Sequence, residues 1–132
     1  MKYFVTDIEK ATTENRLYRK ELFTAEHSQL VLMNLKPGEE IGMEVHELDQ
    51  FIRFEAGAGK VVLDGKEHDV HDGTAVVIPA GTKHNVVNTS KQDELKLYSI
   101  YSPPEHKVGT VHKTKQEGDA DTDHHFDGRT SL

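Results

Sequence analysis

Short apolar runs rich in β-branched residues recur along residues 1–102, and Gly, Pro, Asp or Asn separates one run from the next. The clearest runs are residues 28–35, 75–78 and 95–101, whose lengths suit strands rather than helices. No segment before residue 103 has helical periodicity longer than two turns, although Asp7 is expected to cap a short helical turn that continues through Thr13. Many short strands at this spacing predict a single all-β domain, either a barrel or a sandwich.

Weaker patterns complete the predicted sheets. Residues 3–6 suggest a short strand, and residues 17–23 alternate in the manner of a half-buried or edge strand. An exposed edge offers unpaired backbone groups to a second copy of the chain, so residues 17–23 predict a homodimer formed by sheet addition. The dipeptide Asp64-Gly65 separates strands expected at 60–63 and 66–70, and it is a strong short-range signal for a hairpin.

The C-terminal segment differs in character from the rest. Residues 103–132 contain few apolar side chains. We therefore expect residues 1–102 to form the β-barrel and residues 103–132 to form a polar extension that either lies along it or is loose. His124 and His125 lie among aspartates as in a second metal cluster, but neighbouring side chains point apart in an extended chain, so a solvated tail is expected. His106 and His112 are expected at the surface; the alternative is a lid over a pocket.

Composition narrows the range of partners. The 132 residues include 23 acidic and 16 basic side chains, for a net charge of −7, and there is no cysteine. The acidic balance and the lack of a basic run argue against nucleic acid as a partner. No apolar run approaches the roughly 18–20 residues of a membrane span, and the N-terminal residues lack the apolar core of a signal peptide. We expect a cytoplasmic protein that binds a small molecule rather than nucleic acid or a membrane.

Residues 73–88 carry the strongest local signal. The β-branched run at 75–78 is closed by a turn in which Pro79 fixes φ and Gly81 can take a positive φ. This rigid turn is expected to place His84 at the mouth of the next strand, predicted at 86–89. A histidine held at a strand mouth is a candidate metal ligand.

Further candidate ligands lie upstream. Alternate residues of a strand share one face, so Glu44, His46 and Gln50 are expected to point the same way. With His84 they offer four ligands for one divalent metal ion. Two imidazoles and a carboxylate suit iron(II), and manganese, zinc or nickel fit nearly as well; Gln50 would add an amide oxygen or hold a bound water. The alternative is a metal-free barrel in which these side chains make only hydrogen bonds.

The two stretches together resemble the cupin superfamily. The second motif of that family is G-x5-P-x-G-x2-H-x3-N. The sequence matches it in full, at Gly73, Pro79, Gly81, His84 and Asn88. The resemblance covers residues 36–101 and implies a small β-barrel of the double-stranded β-helix or jelly-roll type that holds one metal ion.

The first cupin motif, G-x5-H-x-H-x3,4-E-x6-G, is matched in part. Gly38, His46 and Gly57 agree with it, while Glu44 stands where the first His is expected and Gln50 where Glu is expected. Among single-domain cupins, the chain looks most like the short proteins described as mannose-6-phosphate isomerase-like.

A pocket is expected beside the candidate ligands. Antiparallel pairing returns the strand at 95–101 to the same mouth, so Tyr101 is expected to end close to the ligands, with Leu97 and Ser99 also facing inward. Ile52 and Phe54 continue the ligand face and are expected to form an apolar floor.

Three functions are open. The first is a metal-dependent enzyme on a sugar, keto acid or enol, an isomerase in type, with a Lewis-acid metal and Glu44 and Tyr101 as the candidate catalytic residues. The second is an iron-dependent dioxygenase that uses the same ligands. The third is a barrel that binds a small molecule without turnover, since this fold supports many functions.

Overall fold

The structure is a computed structural model that describes residues 2–132. Its two short helices are α1 (Ile8–Glu14) and α2 (Lys115–Ala120). Neither has the length or the apolar content that a membrane-spanning helix requires. The strands in the described residues are β1 (Arg19–Thr24), β2 (Gln29–Leu35), β3 (Asp49–Ala56), β4 (Ala58–Leu63), β5 (Lys66–His71), β6 (Ala75–Ile78), β7 (His84–Val87), β8 (Leu95–Ser102) and β9 (Val111–His112).

These strands form two antiparallel sheets. The larger has the order β6-β3-β8-β2-β1-β9 and the smaller the order β5-β4-β7. One hydrophobic core joins their inner faces, with Met33, Phe54 and Leu95 from the larger sheet and Val61 and Val86 from the smaller. Because successive side chains of a strand point to opposite faces, burial alternates along β8 from Leu95 to the end of the strand. The predicted all-β single-domain barrel is confirmed.

Two local predictions hold in detail. Strands β4 and β5 pair as a hairpin, and both turn residues have positive φ, 48° for Asp64 and 82° for Gly65. That conformation matches the twist of the flanking strands, which is why this dipeptide favours the turn. At the start of α1, the Asp7 carboxylate accepts a hydrogen bond from the backbone N–H of Lys10 at 3.1 Å, as an N-cap does.

Of two strand predictions near the N-terminus, one is wrong and the other holds in part. Residues 3–6 form no strand; instead, the ring of Phe4 stacks on that of Phe23, with centroids 5.7 Å apart. The strand expected at 17–23 is β1, and it is not an edge, because Arg19 pairs with His112 and Lys20 with Val111 of β9. This strand is thus covered by the chain's own C-terminal segment, and the homodimer stays a prediction without that support.

Residues 103–132 pack along the barrel. The side chain of Gln29, buried in β2, donates to the carbonyl of His106 at 2.7 Å and accepts from the N–H groups of Glu105 and His106 at 3.2 and 2.9 Å. His106 and His112 are 3% and 4% exposed, so the expectation of surface histidines is wrong. Hydrogen bonds to buried side chains dock this segment, and a count of apolar residues cannot detect such docking.

Candidate metal centre

Backbone pairing brings the two motif stretches together. Glu44 and His84 form an isolated antiparallel bridge, with N–H···O distances of 2.8 and 2.9 Å in the two directions. The N–H of Gly81, in the rigid turn, donates to the carbonyl of His46 at 2.8 Å. Directly paired residues of neighbouring strands place their side chains side by side. The turn therefore delivers His84 to Glu44 and His46.

Three of the four predicted ligands converge. One ligand atom from each of Glu44, His46 and His84 lies within 4.8 Å of the other two. The carboxylate Oε2 of Glu44 is 2.8 Å from Nε2 of His46, and the two imidazole centroids are 5.1 Å apart. Among residues 2–132 this is the one such group of three or more His, Asp or Glu side chains.

In both imidazole rings, Nδ1 lies near a polar group outside the candidate ligand set. Nδ1 of His84 lies 2.9 Å from the carbonyl of Thr82, so Nδ1 carries the proton and Nε2 keeps its lone pair. Nδ1 of His46 is 3.6 Å from the carboxylate of Glu105, while its Nε2 donates to Glu44 at 2.8 Å, so a metal ion at Nε2 would take the place of that proton. Histidine ligands of metals are commonly held by a carbonyl or carboxylate in this way. The group therefore fits a divalent metal ion.

Charge in the group is complementary. For Glu44, burial alone would raise the pKa of the carboxyl, but the hydrogen bond and charge of His46 outweigh it and lower the pKa below its ordinary value. For His46, burial would lower the pKa, but the hydrogen bond and charge of Glu44, helped by Glu105, raise it. An ionised carboxylate therefore lies ready beside an imidazole whose proton a cation would displace.

Gln50 lies on the cavity wall and is buried. Its Nε2 donates to Oγ of Ser99 at 3.1 Å, and its Oε1 has no hydrogen-bond partner in the described chain. The role of Gln50 as a fourth ligand or as the holder of a bound water stays a prediction. The predicted pocket wall is wrong at four positions. Ile52, Phe54 and Leu97 are fully buried in the core, Ser99 is fully buried as well, and none of the four lines the cavity, because they lie deeper in the barrel than the ligands.

The candidate ligands open onto a cavity of about 710 Å³. Tyr101 lines it as expected, with its ring 6.3 Å from that of His46. The sequence interpretation missed Arg19 and assigned His106 to the surface, yet both line the cavity with Glu105. Arg19 belongs to a strand that alternates in the ordinary way, so nothing in the sequence marks it as a site residue. For His106 a signal existed, because residues 103–106 directly follow the strand that ends at Tyr101, beside the candidate ligands.

The two adjacent histidines near the C-terminus also line the cavity. His124 is half-buried, and its Nδ1 lies 2.9 Å from Nδ1 of His106. His125 is exposed, with its Nδ1 3.2 Å from Glu105. The expectation of a solvated tail is wrong for His124, because residues 103–112 anchor the segment that carries it.

A small antiparallel barrel in which a carboxylate and two imidazoles converge in one cavity defines a class: a single-domain β-barrel with a candidate metal site at its mouth. A family model for the cupin domain matches residues 31–101. The chain belongs to the cupin family. Within the second motif, Asn88 has a structural role, since its amide donates to the carbonyls of Leu35 and Asp93 at 3.0 and 2.9 Å.

Comparison with known proteins agrees with this assignment. The chain is 48% identical over 130 residues to the uncharacterized protein YrkC of Bacillus subtilis (strain 168), an alignment that covers 92% of this chain and 69% of YrkC. It is 44% identical over 113 residues to an uncharacterized protein of Acanthamoeba polyphaga mimivirus, covering 82% and 70%. The crystal structure of BH2720 from Bacillus halodurans superposes with a TM-score of 0.88 at 46% identity, covering 91% of this chain and 96% of that one.

Proposed function

We propose that the chain is a metal-dependent enzyme that acts on a small oxygenated molecule, an isomerase of sugars or of keto and enol forms. The observation that carries this proposal is the convergence of Glu44, His46 and His84 at the wall of a cavity of about 710 Å³. Such a cavity is the size of ordinary small-molecule sites. The ion would be iron, manganese, zinc or nickel, all of which accept imidazole and carboxylate ligands.

The chain's own groups suit a proton transfer. A divalent ion at this site supplies Lewis-acid polarisation of a carbonyl or hydroxyl oxygen. Glu44, with its pKa held low beside His46, is ionised and able to accept a proton. Burial raises the pKa of the Tyr101 phenol, so Tyr101 keeps its proton at neutral pH and can donate a hydrogen bond to a substrate oxygen.

A second candidate function is an iron-dependent dioxygenase. Two histidines and one carboxylate are the ligand set of many non-haem iron(II) oxygenases, which need open coordination positions, and this set is the reason to test for oxygen chemistry. A barrel that binds its ligand without turnover is the third. Likeness to the mannose-6-phosphate isomerase-like cupins, a homodimer and a cytoplasmic location belong to the same proposal.

The experiment combines metal content with turnover. Metal content measured by mass spectrometry is expected to be near one ion per wild-type chain and to fall at least tenfold in Glu44→Ala and His84→Ala. The control is His71→Ala, because His71 is an exposed histidine of β5 that is not one of the candidate ligands. Sugars, keto acids and enols are then screened with and without oxygen.

Each outcome separates the candidates. Isomerised product without oxygen uptake supports the proposal, and oxygen uptake supports the dioxygenase. Metal content that is unchanged in both ligand variants rules out this ligand set. A protein that binds small molecules but holds no metal and turns over none of them is the non-catalytic barrel.

A further inference from the structure

Arg19 is a buried cation without an anionic partner. Its side chain lines the cavity, and the residue is 6% exposed. In residues 2–132 no carboxylate forms an ion pair with it, and its Nε–H has no hydrogen-bond partner. Burying a charge is costly unless the charge is paired. An arginine kept in this state at a cavity wall indicates a ligand that completes it.

The position of Arg19 is fixed by neutral neighbours. Its Nη1 donates to Nδ1 of His112 at 2.9 Å, so that ring must carry its proton on Nε2, which donates to Asp121 at 2.9 Å. The guanidinium also lies over the ring of Tyr18, 5.2 Å from the centroid. These contacts hold the group but leave the edge formed by Nε and Nη2 without a hydrogen-bond partner in the described chain. That edge presents two parallel donors, the arrangement that binds a carboxylate in bidentate fashion.

The chain's close packing around Arg19 supports a built site. Helix α2 approaches at Gly118, where an added Cβ would lie 2.8 Å from Cε2 of Tyr18 and 3.3 Å from Nη1 of Arg19. Only a residue without a side chain fits there. The C-terminal segment therefore packs closely against Tyr18 and Arg19 and holds the arginine in place.

Four of the five acidic side chains that line the cavity contact groups other than Arg19, and the fifth, Glu47, is exposed. Asp119 pairs with Lys115 at 2.8 Å, and Asp121 accepts from His112. Glu105 lies between two imidazoles of the site, and Glu44 belongs to the candidate metal centre. None of the five carboxylates that line the cavity lies at hydrogen-bond distance from the guanidinium, so Arg19 is an unpaired cation in a cavity whose lining is otherwise acidic.

Two residues that line the same cavity each have one buried polar atom without a partner in the described chain. These atoms are Nε2 of His106 and Oε1 of Gln50, in residues that are 3% and 5% exposed. Burial is the largest influence on the pKa of His106 and of His124, and the charge of Arg19 is the next, lowering both. The positive charge of Arg19 thus disfavours protonation of both histidines on this wall of the cavity.

We propose that the cavity binds a small carboxylate, a hydroxylated organic acid, whose carboxyl group is held in bidentate fashion by the Nε–Nη2 edge of Arg19. Nε2 of His106 and Oε1 of Gln50 hydrogen-bond to the remaining oxygens of the acid. This inference rests on the proposed function in one respect: the bound acid is taken to be the substrate of the reaction at the candidate metal centre. The five acidic side chains that also line the cavity repel a second negative charge on a ligand, so the cavity favours a monoanion over a phosphate dianion.

The test compares a charged and an uncharged ligand of the same skeleton. Gluconate, its amide gluconamide, and inorganic phosphate are titrated into the full chain, and binding is followed by ¹H–¹⁵N NMR, which also reports the Arg19 Nε–H signal. We expect gluconate to bind at least tenfold more tightly than gluconamide and to shift that signal. In Arg19→Gln the two ligands should bind alike, whereas Lys20→Gln, which changes an exposed cation on the same strand, should keep the wild-type ratio.

Several results would overturn the carboxylate assignment: equal binding of gluconate and gluconamide by the wild type, phosphate binding as tight as gluconate, or an unshifted Arg19 signal at saturation. If Arg19→Gln does not fold, two wild-type measurements still test the proposal: the relative affinity for gluconate and gluconamide, and the shift of the Arg19 Nε–H signal. Metal content measured in parallel keeps the two proposals apart. If the protein holds no metal but binds gluconate more tightly than gluconamide, the carboxylate site stands and the proposed function is wrong. If the protein holds metal but binds the two ligands equally, the carboxylate site is wrong and the proposed function stands.

Discussion

His106 shows how one buried residue links the C-terminal segment to pH. The ring is 3% exposed and contacts Tyr101 edge-on, with centroids 5.3 Å apart. Burial, followed by the positive charge of Arg19, lowers the pKa of His106 from 6.5 to about 2. The folded protein therefore keeps this imidazole neutral throughout the physiological range, as a hydrogen-bonding wall of the cavity requires.

A pH dependence of stability follows from that shift. Below pH 6.5 the unfolded chain binds a proton at residue 106 that the folded chain excludes, so the free energy of unfolding falls as the pH is lowered. At pH 5 this residue alone costs about 2 kcal/mol. Urea unfolding at pH 7.5 and pH 5 should show a smaller pH-dependent loss in His106→Gln than in the wild type.

The matched control is His27→Gln, because the His27 side chain is 94% exposed and should leave the pH dependence as in the wild type. An identical pH dependence in wild type and His106→Gln would mean that residue 106 is not buried as a neutral ring.

At the scale of elements, β2 and the C-terminal segment depend on each other through Gln29. This residue is 1% exposed, and its amide bonds to the backbone of residues 105 and 106 and to Oγ1 of Thr24. Those contacts place Glu105 beside His46 and His106 on the cavity wall. A single strand residue thus fixes a segment whose own composition is too polar to pack.

Gln29→Leu should test this dependence. The substitution keeps the size of the side chain but leaves three backbone groups without partners, so we expect a loss of roughly 2–4 kcal/mol in the free energy of unfolding. Hydrogen exchange at residues 105 and 106 should rise more than in the β4–β5 hairpin. Gln92→Leu, an exposed position, serves as the control; wild-type stability and exchange in Gln29→Leu would contradict the account.

The same elements show what the sequence could and could not predict. The Pro79–Gly81 turn and the two-residue spacing of Glu44 and His46 are local signals, and they placed three ligands together. The single strand expected to carry Glu44, His46 and Gln50 is wrong in extent, because β3 begins at Asp49 and Glu44 forms only an isolated bridge. Arg19 and His106 meet through contacts between residues far apart in the chain. The apolar floor assigned to Ile52 and Phe54 was wrong because strand parity defines the inward face of a strand but not the depth at which the cavity ends.

At the scale of the whole molecule, one cavity draws its walls from separate parts of the chain. The motif stretches provide Glu44, His46 and His84, β1 provides Arg19, and the C-terminal segment provides His106. The candidate metal ligands and the buried arginine therefore line one cavity, the arrangement that the proposed reaction on a charged, oxygen-bearing molecule needs. The predicted homodimer awaits a measurement of mass in solution, since its proposed edge at β1 is paired with β9.

The most direct test of the central claim is anomalous X-ray diffraction from crystals grown with manganese or zinc. We predict one anomalous peak, at about 2.0–2.2 Å from Nε2 of His46, Nε2 of His84 and a carboxylate oxygen of Glu44. A peak elsewhere, for example between His106 and His124, or the lack of any peak at saturating metal, would contradict the account.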